Sequence, residues 1–238
     1  TALALAWQAP LDEGLGTGDV AWRQANLARC EVTRRTASPG GPTAVVVHTF
    51  DDEGRRAQTA EDRRADGVMD VLWTHRWQST HAVLSEASAL GGQVMHAQER
   101  REWEGPRLLH VAVSSEEWSE GTGFAEQSDE RFVWSRDRIV RTEGLDGEIT
   151  WRWSADGLTA QLEAPDGATW ARAYDASRRL VQEEASRPLN GGVRQIERSS
   201  WTYGDRGPVA RTVLDERGGA VSVTTWTYTC PAGSIKTQ

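Results

Sequence analysis

Lysine is all but missing from this chain: Lys236 stands alone among 27 basic residues. A GC-rich coding sequence accounts for that bias, and selection for the planar fork of arginine would leave the same trace. Basic charge is short overall. Acidic residues number 35, the net charge is −8 and the pI is near 5.2. That balance excludes a nucleic-acid backbone as partner, because phosphate needs a basic stripe. Long apolar runs are missing too. No stretch approaches the roughly 18–20 residues of a transmembrane helix, and the strands lack the apolar band of an outer-membrane barrel. Cysteine is limited to Cys30 and Cys230, with no second Cys or His at metal-site spacing. Two states stay open for them: one disulfide in an exported protein, or two buried thiols. Hydrophobic residues reach only 38% of the 238 and mean hydropathy is −0.59, so the core is shallow or elongated.

Tryptophan is the residue in excess. There are twelve, and each can bury roughly 150–250 Å². Many begin a short repeated pattern of an aromatic, a polar turn with Gly or Asp, then an apolar residue. It reads Phe50-Asp-Asp-Glu-Gly-Arg55, Trp103-Glu-Gly-Pro-Arg-Leu108, Trp153-Ser-Ala-Asp-Gly-Leu158, Tyr174-Asp-Ala-Ser-Arg-Arg-Leu180 and Tyr203-Gly-Asp-Arg-Gly-Pro-Val209. Looser copies start at Trp77 and Trp134, and Tyr228 closes the series. These eight anchors recur about every 25 residues. A unit of that size cannot bury its own face and must stack on its neighbours.

Local patterning makes each unit a hairpin. Ile149, Trp151 and Trp153 alternate with polar residues before Ala-Asp-Gly, and Leu158, Ala160 and Leu162 resume the alternation after it. Trp226, Tyr228 and Cys230 share one face of a strand. A second set of turns lies between hairpins at Ser38-Pro-Gly-Gly-Pro, Ala65-Asp-Gly, Asp146-Gly, Pro165-Asp-Gly, Asn190-Gly-Gly and Arg217-Gly-Gly. The best helical stretch, 86–103, is broken by Gly91-Gly92 and reads as two strands around that turn. The expected fold is all-β, a long antiparallel meander of about eight hairpins and up to about sixteen strands. We expect an open or curled single sheet, with a closed propeller-like or barrel-like meander as the alternative. Residues 1–20 read as a Gly/Asp-rich arm or leader and 21–238 as a single repeat domain. The start, TALALAWQAP, fits a mature end after signal cleavage or a first edge strand.

At the anchors the pattern resembles the YD repeats of the Rhs family, roughly Tyr-x-Tyr-Asp-x-x-Gly-Arg-Leu. Ala171–Leu180 and Trp201–Val209 match best, followed by His48–Arg55 and Trp151–Leu158. Only Tyr174 is followed directly by Asp. The resemblance implies a β-strand scaffold of the kind that forms shells in bacterial polymorphic toxins, insecticidal toxin complexes and teneurins. About eight units are too few to enclose a cargo. What the resemblance implies is a small relative, or a piece of such a shell, and not an activity.

The remaining constellations are weak as chemistry. His75 and His81 share a hairpin, but with His48, His96 and His110 they form no metal motif. No Gly-x-Ser-x-Gly or nucleophilic cysteine motif is present. Acidic pairs at Asp51-Asp52-Glu53, Glu116-Glu117, Asp129-Glu130 and Glu183-Glu184 suggest either a solvated face or glycosidase carboxylates. Asp51, Asp52, Asp175 and Asp205 lack the alternation of a calcium loop. No cofactor and no metal is implied. Trp73, Trp77, Trp151, Trp153, Trp201 and Tyr203 are the candidate binding residues, set against a purely structural ladder. The expected function is a non-enzymatic, exported or cell-surface scaffold. It would contact a protein or glycan through an aromatic sheet face or an edge strand. A toxin-shell fragment and a carbohydrate-active enzyme are the alternatives.

Overall fold

Period-two patterning with turn residues at both ends suits a strand and no other regular element. The computed structural model describes residues 27–231 except 41–43, 80–81, 90–93, 105–106, 120–121, 137, 146, 178 and 190–192. The expected arm at 1–20, His81, Gly91-Gly92 and Asn190-Gly-Gly lie outside the described residues, as do the side chains of His96, Trp103, Glu116 and Glu117.

Among the described residues the protein is all-β, with sixteen strands and no helix. The first eight are β1 (Glu31–Ala37), β2 (Ala44–Phe50), β3 (Arg56–Asp62), β4 (Val71–Ser79), β5 (Ala82–Ala89), β6 (Val94–Glu104), β7 (Arg107–Ser119) and β8 (Thr122–Ser135). The rest are β9 (Arg138–Gly144), β10 (Gly147–Trp153), β11 (Thr159–Glu163), β12 (Thr169–Tyr174), β13 (Leu180–Pro188), β14 (Arg194–Gly204), β15 (Gly207–Asp215) and β16 (Ala220–Thr229). Each strand pairs antiparallel with the next, and β1 returns to pair with β16, so the meander closes into a barrel.

Of the two expected geometries, the closed one forms and the open or curled sheet does not. The physical reason is the seam. β1 and β16 pair from Glu31–Thr229 through to Ala37–Val223, which satisfies both rows of backbone groups that an open sheet would leave bare. Closure also removes the edge-strand route to a partner, because every strand now has two neighbours. At the seam Cys30 is bonded to Cys230, 200 residues away, with Cα atoms 4.2 Å apart. Leu27, Val32, Phe50 and Trp226 pack around the buried Cys30.

The alternation in sequence is the alternation between lumen and solvent. In β11, buried Ala160 and Leu162 alternate with exposed Thr159, Gln161 and Glu163. Inward side chains from β5 to β11, including Val83, Val111, Phe132, Ile139, Trp151 and Leu162, form the largest apolar cluster. Full burial of a residue such as Val111 or Leu162 stabilises by roughly 1.5–3 kcal/mol. The outward row carries Arg35, Arg76, Arg100, Arg152, Glu184 and Arg198, all exposed.

All eight anchors lie at or near the C-terminal ends of even-numbered strands, so they gather at one rim. The second set of turns closes the opposite end. Register shifts mark the pairing at Phe50, Trp77, Trp103, Trp134, Tyr174 and Tyr203. In five of the six the extra residue lies on the returning strand, so the bulge sharpens the bend just after the chain reverses. The reversal after Phe50 needs glycine. Gly54 has φ +77°, and an added Cβ would also sit 3.4 Å from the backbone nitrogen of Ala28.

Candidate functional site

The rim is built by one rule, repeated. At five of the eight anchors the polar atom of the ring donates to the carbonyl of the residue that pairs with the anchor before it. Trp77 Nε1 donates to Arg56 O, the register partner of Phe50, at 2.9 Å. Trp134 Nε1 donates to Leu108 O, partner of Trp103, at 2.8 Å, and Trp153 Nε1 to Ile139 O, partner of Trp134, at 2.6 Å. Tyr203 and Tyr228 repeat the bond through their hydroxyls, to Leu180 O and Pro208 O, each at 2.8 Å. Each bulge exposes a carbonyl, and the next ring satisfies it. Phenylalanine at any of these tyrosines should remove one such bond. Tyr203→Phe should cost about 0.5–1.5 kcal/mol, read as a lower denaturant midpoint with an unchanged slope.

The arginine of the repeat completes the rim. The guanidinium of Arg55 lies 6.0 Å from the ring centre of Trp77, Arg107 5.9 Å from Trp134, Arg138 5.8 Å from Trp153 and Arg179 4.7 Å from Tyr203. Each covers the anchor of the following hairpin, a contact worth about 0.5–1 kcal/mol where water reaches it. The Asp of the repeat aims that arginine. Asp51 accepts from the backbone and Nε of Arg55, each at 2.8 Å, and Asp175 does the same for Arg179 at 2.9 and 2.7 Å. Partial burial works to raise the Asp175 carboxyl, but the bonds from Arg179 outweigh it and hold the group below the usual carboxylate range. With their oxygens engaged by the turn and by arginine, Asp51 and Asp175 serve the fold.

Two residues before each anchor a second ring of side chains points into the lumen. It runs His48, His75, Arg101, Phe132, Trp151, Arg172, Trp201 and Trp226 around the barrel. Its charged members are compensated inside. Arg172 Nε meets Glu183 Oε2 at 2.6 Å and stacks 5.2 Å from the ring centre of Trp151. Arg101 pairs with Glu99. The sequence pattern singles out Trp151, Trp201 and Trp226 and brings up His48 and His75 only as histidines, while Arg101, Phe132 and Arg172 go unmarked. The signal for the rest was the constant offset of two from each anchor.

The candidate binding residues separate by depth. Trp73, Trp151 and Trp201 are buried, whereas Trp77, Trp153 and Tyr203 are half-buried at the rim. Trp73 donates to Glu61 Oε1 and Trp151 to Thr142 Oγ1, both at 3.0 Å, and Arg211 lies 4.9 Å from the ring centre of Trp201. The deeper three hold the interior together, and only the outer three reach solvent. Trp153 also meets Tyr174, with ring centres 5.3 Å apart.

The Glu183-Glu184 pair does not converge. Neighbours along a strand point to opposite faces. Glu183 accordingly lies in the lumen with Arg172, while Glu184 lies outside with Arg198 at 2.8 Å. Asp129 meets His110 Nε2 at 3.1 Å. His75 meets His48 through Thr59. No group of three or more His, Cys, Asp or Glu among the described residues could hold a metal ion. The ring of aromatic and guanidinium faces is the candidate site. Neither a protein-family model nor a curated protein matches the sequence.

Proposed function

We propose that the protein is a non-enzymatic binding scaffold of an exported, oxidising compartment, and that its aromatic and arginine rim docks a protein partner. The observation that carries this reading is the rim itself. Trp77, Trp134, Trp153 and Tyr203 are half-buried, held by an N–H or O–H bond and flanked by an arginine. Trp, Tyr and Arg are the residues that carry most binding energy at protein interfaces, and side chains already locked lose little entropy on docking. A protein fits better than a glycan. Stacking a sugar needs a bare ring face with free donors beside it, whereas here arginine covers a face and the ring N–H is engaged. The Cys30–Cys230 bond supports export, since such bonds persist in oxidising compartments.

The shell reading has less support. The inward positions are filled, with Val32, Ser85, Val111 and Arg101 close to fully buried. That packing suits a solid scaffold more than a container. The carbohydrate-enzyme reading is weakened by the separation of Glu183 from Glu184 across the sheet.

The test compares wild type with Arg107→Ser/Arg138→Ser/Arg179→Ser and with the outer-face control Arg152→Ser. A partner protein crosslinked to wild type should be lost by at least about tenfold from the rim triple and kept by the control. Equal recovery on the rim triple rejects the rim. A glycan-array signal that disappears with the triple would replace the protein partner by a sugar.

A further inference from the structure

Four side chains on four adjacent strands form one hydrogen-bonded run inside the barrel. His48 Nδ1 on β2 lies 2.9 Å from Thr59 Oγ1 on β3, which lies 2.9 Å from His75 Nε2 on β4. His75 Nδ1 lies 2.6 Å from Ser85 Oγ on β5. Ser85 sits opposite Glu99 of β6 in the register, and Glu99 pairs with Arg101. His48, Thr59, Ser85, Glu99 and Arg101 are all buried.

This run constrains where protons sit. Thr59 brings one hydroxyl hydrogen to two imidazole nitrogens, so at least one of those nitrogens carries its own. A neutral His75 accepts on one side and donates on the other. A proton added to His75 makes both of its nitrogens donors, so Thr59 and Ser85 must then both accept from a buried cation. The new charge would face Arg56 from β3, His48 from β2 and Arg101 from β6. The carboxylates of the same region are already engaged, Glu99 by Arg101 and Glu61 by Trp73 and Arg63. Burial first, then the electrostatics of Arg56, His48 and Arg101, hold His75 well below its ordinary value of 6.5.

We propose that the His48–Thr59–His75–Ser85 run is an acid-sensing latch: it keeps the β2–β6 side of the barrel closed at neutral pH, and proton uptake releases that side. The opposite side, β10–β13, has no histidine and is held by Arg172 and Glu183. Acid therefore acts on one side alone. β2 also pairs with β1, so the sensitive side adjoins the seam. The sign follows from linkage. The unfolded chain takes the proton near pH 6.5 and the folded chain resists it. Stability is complete above that pH and falls below it, by up to about tenfold in the folding equilibrium per pH unit.

Amide hydrogen exchange of the whole chain at pH 7.5 and 5.5, corrected for intrinsic rates, tests the latch. The amides of β3–β5 should lose about tenfold in protection relative to β10–β13 at the lower pH. His75→Gln stays neutral and should abolish that difference while keeping the protection seen at pH 7.5. An imidazole titration of wild type by NMR gives a second measurement that does not rely on the variant folding. It should show His75 resisting protonation until β3–β5 opens. Equal loss of protection on both sides, an unchanged pH effect in His75→Gln, or free titration of His75 near 6.5 would each overturn the latch.

Discussion

Removing the Cys30–Cys230 bond should lower the free energy of unfolding by about 5 kcal/mol. The bond closes a loop of 200 residues. In the chain-entropy account a 100-residue loop is worth about 4.7 kcal/mol, and the value climbs only logarithmically beyond that. Domains of this kind have about 5–15 kcal/mol in total, so the change consumes much of the margin. Cys30→Ala/Cys230→Ala is the right comparison, because serine would bury a hydroxyl beside Leu27, Val32 and Phe50. Guanidinium unfolding should show an earlier midpoint and a steeper slope, since the unfolded chain is freer to expand without its cross-link. The barrel itself should still form in water, because β1 and β16 keep their register pairs. A loss below about 1 kcal/mol would mean that the unfolded chain already holds its ends together.

Arg172→Met should cost about 3–5 kcal/mol. The guanidinium and the Glu183 carboxylate are both buried, and methionine leaves that carboxylate in the lumen without its cation. The stacking over Trp151 is lost as well. Replacing both partners, Arg172→Met/Glu183→Leu, should recover most of the loss, since two packed apolar side chains carry no desolvation debt. The adjacent pair provides the contrast. Arg198 and Glu184 meet at 2.8 Å, but both are about half exposed. Arg198→Ala should therefore cost no more than about 1 kcal/mol. Consecutive glutamates thus differ several-fold in consequence. Equal costs for the two arginine variants, or no recovery in the double variant, would sink this account of the lumen.

Much of the fold is legible in the chain, for a physical reason. Period-two alternation and turn residues are local properties, and they place both ends of nearly every hairpin. Pro165-Asp-Gly and Arg217-Gly-Gly fall where β11 gives way to β12 and β15 to β16. The stretch 86–103, helical only at first sight, divides between β5 and β6. Closure is different. It depends on Val32 finding Tyr228 and Arg34 finding Trp226, partners nearly the whole chain apart, with nothing local to announce them. Depth is also invisible to alternation. Trp151 and Trp153 share a face by spacing, yet one is buried and the other reaches the rim, because distance from the barrel mouth is set by neighbours. The inner ring escaped for a chemical reason. Its positions hold His48, Arg101, Phe132 and Arg172, which no hydropathy scale would group.

The anchor-to-carbonyl bonds carry a consequence for how such a barrel can change over evolutionary time. Where that bond forms, a hairpin is addressed to the one before it, so duplicating such a unit would insert two strands with the new bond still made. The rim would accept a ninth member. The lumen would not, although Arg172 and Glu183 would stay together as direct register partners. What widening would undo instead is the apolar cluster that gathers Val83 of β5 with Trp151 and Leu162 of β10 and β11 across several strands. Gaps opened there cost about 24 cal/mol for each Å³ left empty. The motif thus licenses any number of copies, and the interior selects one.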